Sequence, residues 1–178
     1  MRTTKHLDAD QVKRLLKYLD NTQSYDNTLL SILLRSGMRG EELVKVKPED
    51  IDMGHGVLSI RAAKGSNDRV VPIKKSLLES FYNAINNGAV KNTRPSSLKA
   101  RLRVVLKRAL FNSLGVGYSH LSLHSLRASF AIALYNSMDH DILLVKELLG
   151  HRQIDSTMHY VNISRLNKNK TKILKAIG

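Results

Sequence analysis

Leu149-Gly150-His151-Arg152-Gln153-Ile154-Asp155-Ser156-Thr157-Met158-His159-Tyr160 reads as a helix end, a short turn and a new helix start. Gly150 suits the left-handed position that closes a helix. Asp155 or Ser156 can cap the helix that follows. His151 then falls in the turn, with Tyr160 about one turn into the second helix. Such a spacing can set a phenol beside an imidazole, which suits chemistry with a tyrosine nucleophile. Taken singly, most pairs of a His and a Tyr at a helix end are structural, so the rest of the chain has to decide.

Working outward, Ile142 to Leu149 is a short apolar helix, and before it Ser125 opens a helix carrying Leu126, Phe130, Ala131, Ala133 and Leu134, preceded by His124. Ser97 can cap a long helix with Leu98, Leu102, Val105, Leu106, Ala109 and Leu110 on its apolar side. Arg101, Arg103, Lys107 and Arg108 lie on its other faces, and Arg101, Lys107 and Arg108 are candidate DNA-binding residues. Nearer the N-terminus, Asp8 and Gln11 form a capping box ahead of Val12, Leu15, Leu16 and Leu19. Leu29 to Leu34 is apolar on most sides, as in a helix central to a core, and it ends at Ser36-Gly37. Arg39 then leads a short acidic helix start, Glu41-Glu42-Leu43. Ile51, Val57–Ile60 and Val70–Ile73 are β-branched runs separated by turn-like segments. They predict a small antiparallel sheet with Lys64 at its second hairpin. Helix resumes over Lys75–Ala84, and Ser164–Ala176 adds a basic segment with an apolar stripe at Leu166, Ile173 and Leu174. The sum is mainly α with one small antiparallel β-sheet, an α+β chain.

The 178 residues suit one domain, expected over residues 8–178 after a basic lead-in at 1–7. With 29 Lys and Arg against 15 Asp and Glu, the formal charge of +14 points to a polyanionic partner. There is no Cys, so disulfides and thiolate metal sites are excluded. Trp is absent and aromatics make up 5%, so an aromatic platform for stacking bases is poorly supplied. No apolar run reaches membrane-spanning length and no signal peptide is visible at Met1–Asp10, so the expected location is cytoplasmic or nucleoid-associated.

Six polar residues fit a bland core badly: Arg39, Lys64, His124, Arg127, His151 and Tyr160. His124 and Arg127 share a helix face, and an Arg in a first helical turn opposes the macrodipole. Together the six form a set for phosphoryl transfer. Two guanidinium groups can grip the non-bridging oxygens of a phosphodiester. A hairpin Lys can protonate the leaving 5′ oxygen, and an imidazole can take the phenol proton or hold a phosphate oxygen. The protein supplies the cations, so neither a metal nor another cofactor is expected.

Four stretches, in order, resemble the catalytic domain of the tyrosine recombinases, the phage integrase and Xer-type family. Ser36-Gly37-Met38-Arg39-Gly40-Glu41-Glu42-Leu43 is similar to the first arginine box, and Lys64 to Ile73 to the lysine hairpin. His124-Ser125-Leu126-Arg127 resembles the His-x-x-Arg box, and Leu149-Gly150-His151 with Tyr160 the last box. The resemblance implies the tyrosine-recombinase catalytic-domain fold and site-specific recombination of double-stranded DNA, as in phages or other mobile elements. In it Tyr160 would attack the scissile phosphate to give a 3′-phosphotyrosyl enzyme without ATP. Arg39 and Arg127 would bind phosphate oxygens, and Lys64 would protonate the leaving oxygen. His124 would be base or donor, His151 a second donor, and Glu42 a supporting carboxylate.

The resemblance also implies self-association as a tetramer on DNA, with the C-terminal segment docked on a neighbour or folded back. Two departures stand out. Gly40 replaces a larger apolar residue, which predicts a more flexible Arg39 loop. Nothing before Asp8 matches the core-binding or arm-binding domains of larger relatives, so these are expected to be absent. The alternatives are type IB topoisomerase-like strand passage, a non-catalytic DNA-binding relative, and a basic RNA-binding protein.

Overall fold

The computed structural model describes residues 6–22, 24–63, 66–91, 93–118, 120–162 and 169. Helices α1 (Ala9–Asn21), α2 (Tyr25–Ser36) and α3 (Gly40–Leu43) precede a single 3-10 turn, Pro48–Asp50. Strands β1 (Ile51–Asp52), β2 (Val57–Ile60) and β3 (Arg69–Pro72) follow. The chain then returns to helix through α4 (Lys75–Asn86), α5 (Pro95–Leu114), α6 (Leu123–Ser137) and α7 (Ile142–Leu149). Residues 155–162 are helical again. The predicted mainly α chain with one small antiparallel sheet is what the structure has, with strand order β1-β2-β3.

Local chemistry explains most boundaries. The Gln11 amide donates to Asp8 Oδ1 at 2.9 Å and the Asp8 amide to Gln11 Oε1 at 3.0 Å, the reciprocal capping box expected at α1. Three starts differ from the sequence reading. Helix α5 begins at Pro95 rather than after Ser97, because proline is preorganised for the first helical position and lacks the amide that would go unpaired there. Helix α6 begins at Leu123, with the Ser122 amide donating to Ser125 Oγ at 3.0 Å, so His124 lies inside the first turn. In the last described helix the amides of Thr157 and Met158 bond the Ile154 carbonyl at 2.8 and 2.9 Å. Asp155 and Ser156 are therefore first-turn residues and not caps.

The buried side chains form two clusters. The larger gathers α1, α2, the sheet, α4, α5 and the start of α6 as far as Leu126. The smaller holds Ala128, Ala131, Ile132, Tyr135, Val145, Leu149, Tyr160 and Val161. Arg127 lies between Leu126 and Ala128 in sequence, at the seam of the two. Helix α2 runs through the larger cluster with Leu29, Leu30, Ile32, Leu33 and Leu34 all buried, as its all-round apolar pattern requires. Leu7 is also buried there, and its amide donates to Ser129 Oγ at 2.8 Å. The packed body thus includes Leu7, one residue earlier than the expected boundary at residue 8. The basic segment after Ser164, with its proposed docking on a neighbour, lies outside the described residues apart from residue 169.

The sheet hairpin is pinned to the turn after α7. Ser66 bridges His151, and the Asn67 amide donates to the Gly150 carbonyl at 2.9 Å. Gly150 closes α7 with φ +66°, and a Cβ there would meet Asn67 O at 2.7 Å and Arg69 Nη1 at 3.0 Å. Both the left-handed backbone and the close approach demand glycine. Gly150→Ala is expected to cost about 3 kcal/mol, read as a lower denaturant midpoint. A loss under about 0.5 kcal/mol would show that the contact is slack.

Candidate active site

Two helix C-termini converge on Arg127. The residue is 2% exposed. Nη1 donates to the carbonyl of Gly37, which caps α2, and Nη2 donates to the carbonyl of Leu149, the last residue of α7, at 2.8 Å. These are orphan carbonyls at the negative ends of two helix dipoles, so they offset part of the cost of burying a cation. Burial first, then the charges of Arg39 and Arg69, pull the Arg127 pKa down to about 10, and it remains protonated at neutral pH. Among the described residues three of its five N–H donors are engaged, by Gly37, Leu149 and His151, and the other two have no partner there.

Glu42 holds the surrounding groups together. It is fully buried in α3 and accepts from Arg69 Nη2 at 2.7 Å, Arg69 Nη1 at 3.1 Å, Ser66 Oγ at 3.1 Å and the Arg39 amide at 2.7 Å. Burial raises its pKa, but the hydrogen bonds and charge of Arg69, the Arg39 amide and the charge of Arg127 outweigh that, and the net shift is downward. Arg39 reaches Glu42 Oε1 only at 3.4 Å and stays about a third exposed at the cleft, with a side-chain accessibility of 32%. One buried carboxylate thus serves three guanidinium groups, leaving a local excess of positive charge.

Arg69 is the residue the sequence reading missed. Its side chain is 2% exposed, and its Nε is a buried donor without a partner among the described residues. The signal was present: in β3 positions 69 and 71 are buried while 70 and 72 are exposed, so alternation from Val71 puts Arg69 on the core face. A cation facing a core needs a carboxylate there.

His151 is held by both ring nitrogens. Arg127 Nη2 donates to Nε2 at 2.9 Å, so the ring proton is on Nδ1 and is donated to Thr157 Oγ1 at 2.8 Å. Burial first, then the charges of Arg127, Arg39 and Arg69, push its pKa down from 6.5 to about 4. In this arrangement His151 is a neutral acceptor that orients Arg127. The ring of Tyr160 stacks on it, with centroids 6.2 Å apart and planes at 15°. Tyr160 is 4% exposed, and its phenol lies within electrostatic reach of Arg127 in the same chain.

A pH dependence follows from the depressed imidazole. The unfolded chain takes up the proton near pH 6.5 and the folded chain only near 4. The contribution of His151 to stability is therefore complete above about pH 6.5 and is lost as pH falls between those values, about 3 kcal/mol in all. Its ring resonances in an NMR titration should keep their neutral positions down to about pH 5 and move with a midpoint near 4. A midpoint near the ordinary histidine value would overturn the assignment of Nε2 as acceptor.

His124, on the first turn of α6, faces an open cleft of about 260 Å³ lined by Arg39, Gly40, Glu41, Lys99, Arg103 and Arg127. Burial first, then the charges of Arg127 and Arg39, lower its pKa, so it too is biased to the neutral form. The structure therefore gathers Arg39, Glu42, His124, Arg127, His151 and Tyr160 in one region. Lys64 lies outside the described residues. Two of the three DNA-binding candidates on α5 point elsewhere. Arg101 pairs with Asp26 at 3.1 Å and donates to the Ala89 carbonyl at 2.6 Å, and Arg108 lines a separate groove with Tyr18 and Asp26. Lys107 is exposed but does not line the cleft, where α5 contributes Lys99 and Arg103 instead. The space beside Gly40 is occupied. A Cβ there would sit 3.2 Å from Lys99 Cγ, so the stem of Lys99 occupies the space of the missing side chain.

Among the described residues no group of three or more His, Cys, Asp or Glu could hold a metal ion, and no helix is long and apolar enough to cross a membrane. Tyrosine recombinase XerA of Thermococcus kodakarensis is 32% identical over 97% of this chain and 64% of that protein. Tyrosine recombinase XerC of Proteus mirabilis is 31% identical over 89% of this chain and 55% of that protein. The chain thus spans somewhat under two thirds of the length of these relatives. The XerH site-specific recombinase in a post-cleavage complex with its palindromic difH substrate superposes with a TM-score of 0.76 at 25% identity, covering 96% of this chain and 53% of that one. The catalytic domain of bacteriophage HP1 integrase shares the fold, with a TM-score of 0.55 at 23% identity over 94% of each chain. The model of the phage integrase family matches residues 5–166, which takes in every one of the six residues singled out above, and the chain belongs to that family.

Proposed function

We propose that the chain is a site-specific DNA recombinase that cuts and rejoins strands through Tyr160. The observation that carries this reading is the linked geometry of Arg127, His151 and Tyr160: a guanidinium bonded to an imidazole on which the phenol stacks. The phenolic oxygen forms a bond to phosphorus, the bond from phosphorus to the 5′ oxygen breaks, and the strand is left as a 3′-phosphotyrosyl ester. Arg39 and the remaining donors of Arg127 hold the non-bridging oxygens as charge builds on them. His124, biased to the neutral form and open to the cleft, takes the phenol proton. Lys64 gives a proton to the leaving 5′ oxygen. A 5′ hydroxyl from a second duplex reverses the step and completes the exchange, with the bond energy kept in the ester and no ATP consumed. Its partners are double-stranded DNA carrying a specific site and further copies of the chain, four to a synaptic complex, in the compartment that holds the chromosome.

The test is covalent trapping on DNA nicked beside the scissile phosphate, where the short 5′ fragment diffuses away. The wild-type protein should form an adduct that survives denaturation, insensitive to EDTA. Tyr160→Phe should bind the same DNA and form none. An adduct on the Phe variant would place the nucleophile elsewhere.

A further inference from the structure

The cleft holds two cations that the reaction above does not use. Lys99 and Arg103 are four residues apart on α5 and so face the same way. Lys99 Nζ pairs with Glu41 Oε1 at 2.6 Å, and the hydrogen bond and charge of Lys99 pull the exposed Glu41 carboxyl below its usual range. Arg103 is exposed and has no hydrogen bond or ion pair among the described residues. Gly40 completes the arrangement, because its missing side chain is the space the Lys99 stem crosses on its way to Glu41. A larger residue at position 40 would push that ammonium out of the cleft.

We propose that Lys99 and Arg103 form a second phosphate subsite, which holds the phosphodiester next to the one gripped by Arg39 and Arg127, and that Glu41 is the counter-ion Lys99 gives up when DNA arrives. This rests on the DNA-cleavage reading above. Physically, an exposed ion pair is worth little in water, so exchanging Glu41 for a phosphate costs little. Arg103, with no partner among the described residues, has none of them to give up. Until DNA displaces it, Glu41 screens the cleft from indiscriminate anions. The subsite would fix the register of the strand on the enzyme, since phosphate contacts position a duplex without reading its sequence.

The experiment measures binding to a cognate duplex as a function of salt, with a series of duplexes each carrying one neutral methylphosphonate at a different flanking position. Arg103→Ala should weaken binding to the unmodified duplex about tenfold and flatten the plot of log affinity against log salt by about one. Glu41→Gln should tighten binding, because Lys99 no longer has a competing carboxylate. One methylphosphonate immediately beside the scissile phosphate should weaken the wild type at least as much as Arg103→Ala does, and should cost that variant clearly less than it costs the wild type, because only the Lys99 contact is left to lose. Methylphosphonates that cost the wild type and Arg103→Ala equally at every position would overturn the subsite, as would an unaltered salt slope. Trapping on nicked DNA runs alongside. Absence of a wild-type adduct refutes the cleavage reading itself, whereas a normal wild-type adduct with an unaltered Arg103→Ala salt slope refutes only the subsite.

Discussion

Arg127→Lys should slow formation of the phosphotyrosyl adduct by about three orders of magnitude while leaving DNA affinity within a few-fold. The guanidinium bonds the Gly37 carbonyl, the Leu149 carbonyl and His151 Nε2 at once, and has further donors to offer a phosphate. An ammonium has three donors on one atom and cannot satisfy those acceptors while facing a ligand in the plane of a fork. The substitution keeps the charge, so it isolates geometry from electrostatics. Losing a single preorganised donor typically costs a factor of about 100 to 1,000 in rate, and here the orientation of His151, and through it the stacking of Tyr160, is lost as well. Single-turnover trapping on nicked DNA reads the rate, and a gel-shift titration reads the affinity. A rate within tenfold of wild type would mean that Arg127 is chiefly a structural clamp between α2 and α7.

Glu42→Ala should remove about 3–5 kcal/mol of stability. The cost is dominated by what is left behind. Arg69, 2% exposed on its side chain, would keep its charge with no ion-pair partner among the described residues, beside Arg39 and Arg127. The amide of Arg39 and the hydroxyl of Ser66 would lose their acceptor too. Chemical denaturation of Glu42→Ala, Arg69→Met and the double variant separates the causes. If an uncompensated guanidinium is responsible, the double variant should recover a good part of the loss of the single one. Simple additivity of the two losses would argue that they act independently. The sign with pH follows from the lowered pKa of Glu42. Its stabilising contribution is present above the ordinary carboxylate range and disappears as pH falls through its depressed folded value. Acid therefore weakens this site twice, through Glu42 and through His151.

Much of this protein is set by short-range sequence chemistry. The Asp8–Gln11 box, the glycine closures at Gly37 and Gly150, the all-round apolar pattern of α2 and the β-branched runs each specify their element through neighbours a few residues away. The residues that carry the proposed chemistry were legible for a related reason: unusual polar side chains at helix starts and turns, in the order of a known family.

What the tertiary structure alone decided is how those residues are held and which cations join them. Arg127 is anchored by carbonyls at positions 37 and 149, distant in sequence from it and from each other, and no local pattern reveals that two helix ends meet there. The protonation of His151 is governed by burial and by arginines from other elements, which its own stretch of sequence does not show. On α5 the sequence shows cations on both shoulders of the Leu98, Leu102, Leu106 and Leu110 stripe. Which shoulder looks into the cleft depends on how the helix is rotated against α1, α2 and α6, and a helical repeat specifies a buried face without specifying what lies to its left or right. That rotation turned Lys99 and Arg103 inward and Arg101 and Arg108 away.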